Sequence, residues 1–261
     1  VTHATLHNID EIQRLGVKIG DTVVIEKAGD IIPKVVSVVK EMRGGKEKNI
    51  TVPKTCPLCS YPTIRKDNEV ALYCSNTSCF GKEREALIHF SSKKAFDIDG
   101  LGEKIIEQLI QEGLVRNVAD LFGLRQGDLE PLERFALKSA ENIYTAIQKK
   151  KTIELPRFIY ALGIRHVGEE TAYDLAKKFF TFDALTHARR EDFEHIPNIG
   201  PVVAQSLAEY FSEEKHKELF SQLTRAGVIV VPMAVRTSNH LDGLTIVITG
   251  TFETLTRHQA E

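Results

Sequence analysis

The sequence predicts a multidomain α+β chain: a partial β-barrel, a four-cysteine zinc site, and an all-α array of repeated helical hairpins. Three observations carry that expectation. β-branched runs crowd the first 50 residues, the four cysteines fall into two close pairs, and an apolar–small residue pair recurs later at spacings of 34, 32 and 32 residues. With 261 residues the chain has length for more than one domain.

Composition narrows the class. Hydrophobic residues make up 42% and charged residues 27%, the balance of an ordinary folded protein with no disordered bias. No apolar run reaches the ~20 residues of a membrane span, so membrane partners are not expected. The opening Val1-Thr-His-Ala4 is neither an initiator methionine nor a signal peptide, and the expectation is that it lies inside a longer protein. The net charge of −2 neither argues for nucleic-acid binding nor excludes it, because local placement of charge matters more than its sum.

Thr22-Val-Val-Ile-Glu26 and Lys34-Val-Val-Ser-Val-Val39 read as strands, with Gly20-Asp21 and Ala28-Gly29-Asp30 as turns. Val1 to Leu6 offers a third strand. This much β in residues 1–50 fits part of an OB-fold barrel lacking its upstream strands. Met42 to Lys48, glycine-rich and charged, reads as a flexible linker.

Cys56-Pro-Leu-Cys59 and Cys74-Ser-Asn-Thr-Ser-Cys79 define residues 51–84 as a small zinc finger. Two short pairs flanking a β-ribbon, here Tyr61–Arg65 and Val70–Tyr73, suit a tetrahedral thiolate site; two disulfides are the alternative. With all four positions held by Cys56, Cys59, Cys74 and Cys79, no position remains for water, so the metal is structural. Reduced thiols of this kind suit a cytoplasmic setting.

From residue 85 to 232 the periodicity becomes helical. Leu101-Gly102, Phe135-Ala136, Val167-Gly168 and Ile199-Gly200 each open an amphipathic segment, and a small or apolar residue follows four positions later: Ile106, Ala140, Ala172, Ala204. These read as four helix-hairpin-helix units. A glycine in such a hairpin lets backbone N–H groups approach a phosphate at the positive end of the next helix. The candidate duplex contacts are therefore Gly100, Gly102, Gly163, Arg165, Gly168, Asn198 and Gly200, directed at the DNA backbone. Lys93, Lys94, Lys104, Lys149 to Lys151, Lys177 and Lys178 could supplement them or simply form a solvated face. The second unit, with Arg134-Phe-Ala-Leu137 in place of glycines, is expected to pack the array instead.

Taken in order, Ala4-Thr-Leu-His-Asn8, Gly20-Asp21, Lys27-Ala-Gly-Asp-Ile-Ile-Pro33, the four cysteines and the hairpins resemble the C-terminal portion of bacterial NAD-dependent DNA ligases. Leu241-Asp-Gly-Leu-Thr-Ile-Val-Ile-Thr-Gly250 resembles the opening of the BRCT domain that ends these ligases, so residues 233–261 would be a linker and a truncated BRCT start. The resemblance implies that Lys27 meets phosphate while Ile31 and Ile32 pack in the minor groove beside a nick; filling of the barrel core is the alternative for the two isoleucines. It departs from the family at Phe80-Gly-Lys82, where proline and small residues are usual after the last cysteine.

The resemblance further implies a nick-sealing enzyme using NAD and magnesium, working as a monomer in the bacterial cytoplasm at the nucleoid. The adenylated lysine of the family lies in a Lys-x-Asp-Gly motif, which this sequence lacks. The expectation is thus a DNA-gripping part whose partners are nicked duplex and an adenylation domain elsewhere in the same polypeptide, with no catalytic residue of its own. A non-enzymatic repair or junction-binding module, and a protein-interaction scaffold, are the rival readings.

Overall fold

A computed structural model of the chain describes residues 2–6, 8–27, 33–66, 69–132 and 137–233. His7, Ile31, Ile32, the turn of the second hairpin unit and the BRCT-like stretch lie outside the described residues.

The N-terminal part is less purely β than its sequence suggests. Helix α1, Ile9–Leu15, precedes the strands. Its signals are local: the Asn8 side chain accepts from the Asp10 N–H at 2.9 Å, and Gly16 ends it in the left-handed region at φ 61°. Helix formation directly after Asn8 leaves the expected first strand as one bridge, Thr5 to Lys34. Strands β1 (Lys18–Ile19), β2 (Val23–Lys27), β3 (Pro33–Val38) and β4 (Lys48–Asn49) form two antiparallel pairs, β2–β3 and β1–β4.

The stretch Met42–Lys48, read as a flexible linker, is instead stitched into the barrel. Arg43 donates to both carboxylate oxygens of Asp21 at 2.7 Å and to the Gly16 carbonyl at 2.8 Å. The Asp21 side chain is only 1% exposed, so this bidentate pair is screened from water. The guanidinium holds the Asp21 carboxyl below its usual range. The Glu47 carboxylate accepts the Gly44 and Gly45 N–H groups and closes the loop into β4.

Strands β5 (Thr63–Arg65) and β6 (Leu72–Cys74) form the ribbon, which runs directly into helix α2, Phe80–Ser91. Beyond it come α3 (Glu103–Gln111), α4 (Gln126–Leu129), α5 (Leu137–Lys149), β7 (Thr152–Glu154), α6 (Leu155–Ala161), α7 (Glu169–Phe179), α8 (Phe182–Thr186), α9 (Arg190–Glu194), α10 (Pro201–Ser212), α11 (Glu214–Arg225) and β8 (Ile229–Val231). The hairpin pairs are α2/α3, α4/α5, α6/α7 and α9/α10. Ile106, Ala140, Ala172 and Ala204, the residues four positions beyond each turn, are all fully buried, as the repeat predicts.

Two cores result. One gathers α2 to α5 around Phe90, Phe96, Leu121 and Ile147; the other gathers α7 to α10 around Leu175, Leu185, Phe193 and Leu207. Helix α6 belongs to both, with Phe158 and Ala161 in the first and Leu155 and Ile159 in the second. Strands β7 and β8 pair in parallel, Ile153 opposite Val230, and bring the end of the array back to the start of α6.

Phe158 is 2% exposed and sits edge-on to both Phe96 and Phe182. Phe158→Ala should therefore destabilise the helical array by about 3–5 kcal/mol, seen as a lower urea midpoint, with metal content of the ribbon unchanged.

Candidate metal centre and nucleic-acid interface

The knuckle at Cys56 is built by backbone geometry. The Cys56 N–H donates to the Tyr61 carbonyl at 2.7 Å, the Ser60 N–H to the Cys56 carbonyl at 2.9 Å, and Ser60 takes φ 58°. The second pair is set by the Asn76 side chain, which accepts the Ser78 N–H, and by Cys79, which caps α2. All four Sγ atoms lie within 4.8 Å of one another, with Cys56 to Cys79 at 3.9 Å and Cys59 to Cys74 at 3.3 Å. Zn–S bonds of ~2.3 Å in a tetrahedron place sulfurs ~3.8 Å apart, so the donor set fits zinc in size and in chemistry. The free-thiol geometry gives no disulfide.

The thiols do not titrate alike. The Tyr61 backbone draws Cys59 down to about 7, and burial pushes Cys74 up to about 12. Hydrogen bonding favours the thiolate at one sulfur while burial keeps its neighbour protonated, a conflict for four ligands that must all bind as thiolates. A divalent metal removes that conflict and closes the site to water.

The chain leaves the cage without a break, which resolves the departure at Phe80-Gly-Lys82. The Cys79 carbonyl accepts the Lys82 and Glu83 N–H groups at 2.8 and 3.0 Å, and Lys82 Nζ donates to the Cys74 carbonyl at 2.8 Å. A Cβ on Gly81 would come within 2.6 Å of Leu58, so glycine here makes room for the knuckle.

The first, third and fourth hairpins share one geometry. Each runs buried apolar residue, variable residue, left-handed residue, buried apolar residue, glycine N-cap: Ile98 to Gly102, Ile164 to Gly168, Ile196 to Gly200. The left-handed positions are Gly100 at φ 81°, His166 at 65° and Asn198 at 68°. The second apolar residue donates to the carbonyl of the first in every case, at 3.3, 3.1 and 3.1 Å. The capping glycines have nearly equal backbones, φ −83°, −93° and −82°, and none of the three helices has a side-chain cap.

These turns sort the sequence-predicted residues. Gly100 and Gly163 have internal reasons to be glycine: both have positive φ, and a Cβ would meet Ile143 at 3.2 Å or His89 at 3.4 Å. Gly102, Gly168 and Gly200 have no internal reason. Their φ values are ordinary, and a Cβ on any of them would meet nothing within 4 Å. All three face solvent. Asn198, expected as a duplex contact, and His166, which the sequence reading did not single out, both occupy left-handed turn positions, which Asn and His enter more readily than most residues. Lys27 ends β2 opposite Pro33, away in sequence from this face.

The cations divide likewise. Lys94 pairs with Glu169 and Lys150 with Asp97, while Arg165 pairs with Glu69 of the ribbon. Lys93, Lys104, Lys177 and Lys178 stand exposed, with no ion pair among the described residues. Val202, in the first turn of α10 just after Gly200, is a large apolar side chain left 64% exposed.

Three stretches of the chain match known protein families. Residues 1–47 match the NAD-dependent DNA ligase OB-fold domain, residues 55–79 the NAD-dependent DNA ligase C4 zinc finger domain, and residues 157–220 the helix-hairpin-helix motif. A DNA ligase of Syntrophotalea carbinolica is 47% identical over the whole chain, which spans 39% of that protein. DNA ligases of Carboxydothermus hydrogenoformans and Desulfitobacterium hafniense are 44% and 42% identical, with 39% and 40% of their lengths spanned. The chain thus spans about two fifths of the curated relatives it matches.

Metal uptake should release protons to solvent at neutral pH, since a protonated thiol such as Cys74 must lose its hydrogen to bind the cation as thiolate. Acidification should accordingly weaken the metal, and a chelator titration run at pH 6 should strip it at lower chelator concentration than at pH 8. Equal stripping at both would contradict the four-thiolate site.

Proposed function

We propose that this chain, which carries the OB-fold and zinc-finger domains of the NAD-dependent DNA ligases, is the part of such a ligase that grips nicked duplex DNA. The observation that carries the reading is the set of three capping glycines. Neither backbone conformation nor interior packing requires glycine at 102, 168 or 200. A requirement for close approach from outside remains, and the uncapped N–H groups behind each glycine suit a phosphate oxygen. Such contacts carry no base information, which suits an enzyme that must act on any sequence.

Within this reading residues 1–50 are the barrel, 51–84 the finger, 85–232 the hairpin array, and 233–261 a linker with the start of a BRCT domain. Zinc held by Cys56, Cys59, Cys74 and Cys79 is structural and takes no part in chemistry. Lys27, Ile31 and Ile32 are the barrel's contribution to the minor groove. Phosphodiester formation belongs to the whole ligase: NAD supplies the adenylate and magnesium assists, both in an adenylation domain outside this sequence. The setting is the bacterial cytoplasm, at the nucleoid, as a monomer. Among the described residues no helix is long and apolar enough to cross a membrane.

Gly200→Val should fold like the unaltered chain and yet bind nicked duplex about 10- to 100-fold less tightly, the range expected for losing a hydrogen-bonded phosphate. A fluorescence titration beside a thermal melt separates the two effects; unchanged affinity in the folded variant would contradict the glycine argument. Incubated with NAD, the chain alone should take up no AMP, and a covalent adduct by mass spectrometry would overturn the assignment of adenylation elsewhere.

A further inference from the structure

A run of charges joins three separately built parts of the molecule. The Asp10 carboxylate on α1 accepts both terminal nitrogens of Arg65 on β5, one of them at 3.0 Å. Arg65 Nε donates onward to the Glu69 carbonyl at 2.5 Å. The Glu69 carboxylate accepts from Arg165, which lies inside the third hairpin between Ile164 and His166. Arg165 also donates to the Tyr73 hydroxyl at 3.3 Å, and its Cζ lies 5.4 Å from the centre of that ring. The Glu69 carboxylate and the Tyr73 hydroxyl and ring therefore hold the guanidinium in place.

The repeat supplies an independent argument about this position. Arg165 is equivalent to Asp99 in the first hairpin and Pro197 in the fourth. A site that faced phosphate in all three would not carry an aspartate in one and a proline in another. The capping glycine is common to the three; the cation is not.

We infer that Arg165 is a positioning residue for duplex binding, clamped by Glu69 and Tyr73 so that the zinc ribbon aims the third hairpin, and not itself a phosphate contact. The inference rests on the DNA-gripping reading. Through Arg65 and Asp10 the same run of ion pairs reaches α1 of the N-terminal part. The cysteine cluster lies at one end of the ribbon, and Arg65 and Glu69 lie toward the other.

Glu69→Gln separates this role from direct contact by sign. A clamp requires it to weaken nicked-duplex binding about fivefold, the upper range of a single ion pair. Direct phosphate contact predicts equal or tighter binding, because Arg165 would be released. Arg165→Gln should match Glu69→Gln in size, the double variant should be no weaker than either, and all should keep the salt dependence of the unaltered chain. The charge swap, Glu69→Arg with Arg165→Glu, should regain affinity. Overturning results are a Glu69→Gln variant that binds as well or better, or an Arg165→Gln variant whose log–log salt slope flattens by about one, the mark of a lost phosphate. Amide exchange read without DNA keeps the test separate from the DNA reading: in Glu69→Gln it should rise together on residues 70–74 and 164–168. A rise on one side only, or on neither, overturns the clamp even if duplex binding is absent altogether.

Discussion

The fold turns on one short helix with no solvent-facing apolar stripe to choose. Helix α6 is seven residues long, and Leu155, Phe158, Ile159 and Ala161 are all buried. Alternate faces belong to different cores, so the first two hairpin units and the last two cannot shift relative to each other without exposing it. Its polar residue is recruited to the same end: Arg157 donates to the Lys93 and Ala95 carbonyls in the turn leading to the first hairpin. His89 of α2 binds the Tyr160 carbonyl at 2.7 Å and lies under Gly163. The turns that present Gly102 and Gly168 are thereby tied to one seven-residue element.

What could be read from the sequence was whatever repeats or coordinates. Four cysteines at ligand spacing announce their partners, because a tetrahedral metal tolerates few arrangements. The hairpins announce themselves through their period, and the fully buried Ile106, Ala140, Ala172 and Ala204 show that the residue four beyond the turn is a packing position. Contacts that join short, distant pieces left no such trace. Strands β7 and β8 have three residues each and pair across 77 positions, and β4 returns to β1 through two residues. Neither length carries a periodicity. Arg43 looked like part of a solvated linker because a bidentate partner 22 residues away has no local signature. Helix α1 was legible from Asn8 and Gly16 and was obscured by the β-branched runs around it.

The same reasoning separates two kinds of glycine that look identical in sequence. Gly100 and Gly163 serve the chain's own backbone, whereas Gly102, Gly168 and Gly200 leave empty space in front of an ordinary conformation. Only coordinates distinguish them, since the difference is φ and the surroundings of an absent Cβ. The turn tolerates His166 and Asn198 where its first copy has Gly100, so the left-handed position is the freer of the two.

Three equal turns set on two cores that share α6 have a consequence for substrate shape. Contacts that ignore base identity still depend on where phosphates stand, and turns that cannot move independently respond to the separation between strands. In the proposed reading the array works as a caliper: it passes over base sequence yet registers groove width. A B-form duplex would suit one setting of such a gauge and an RNA-containing A-form duplex another. Sugar chemistry would then be sensed at a distance, through the spacing it imposes on the backbone.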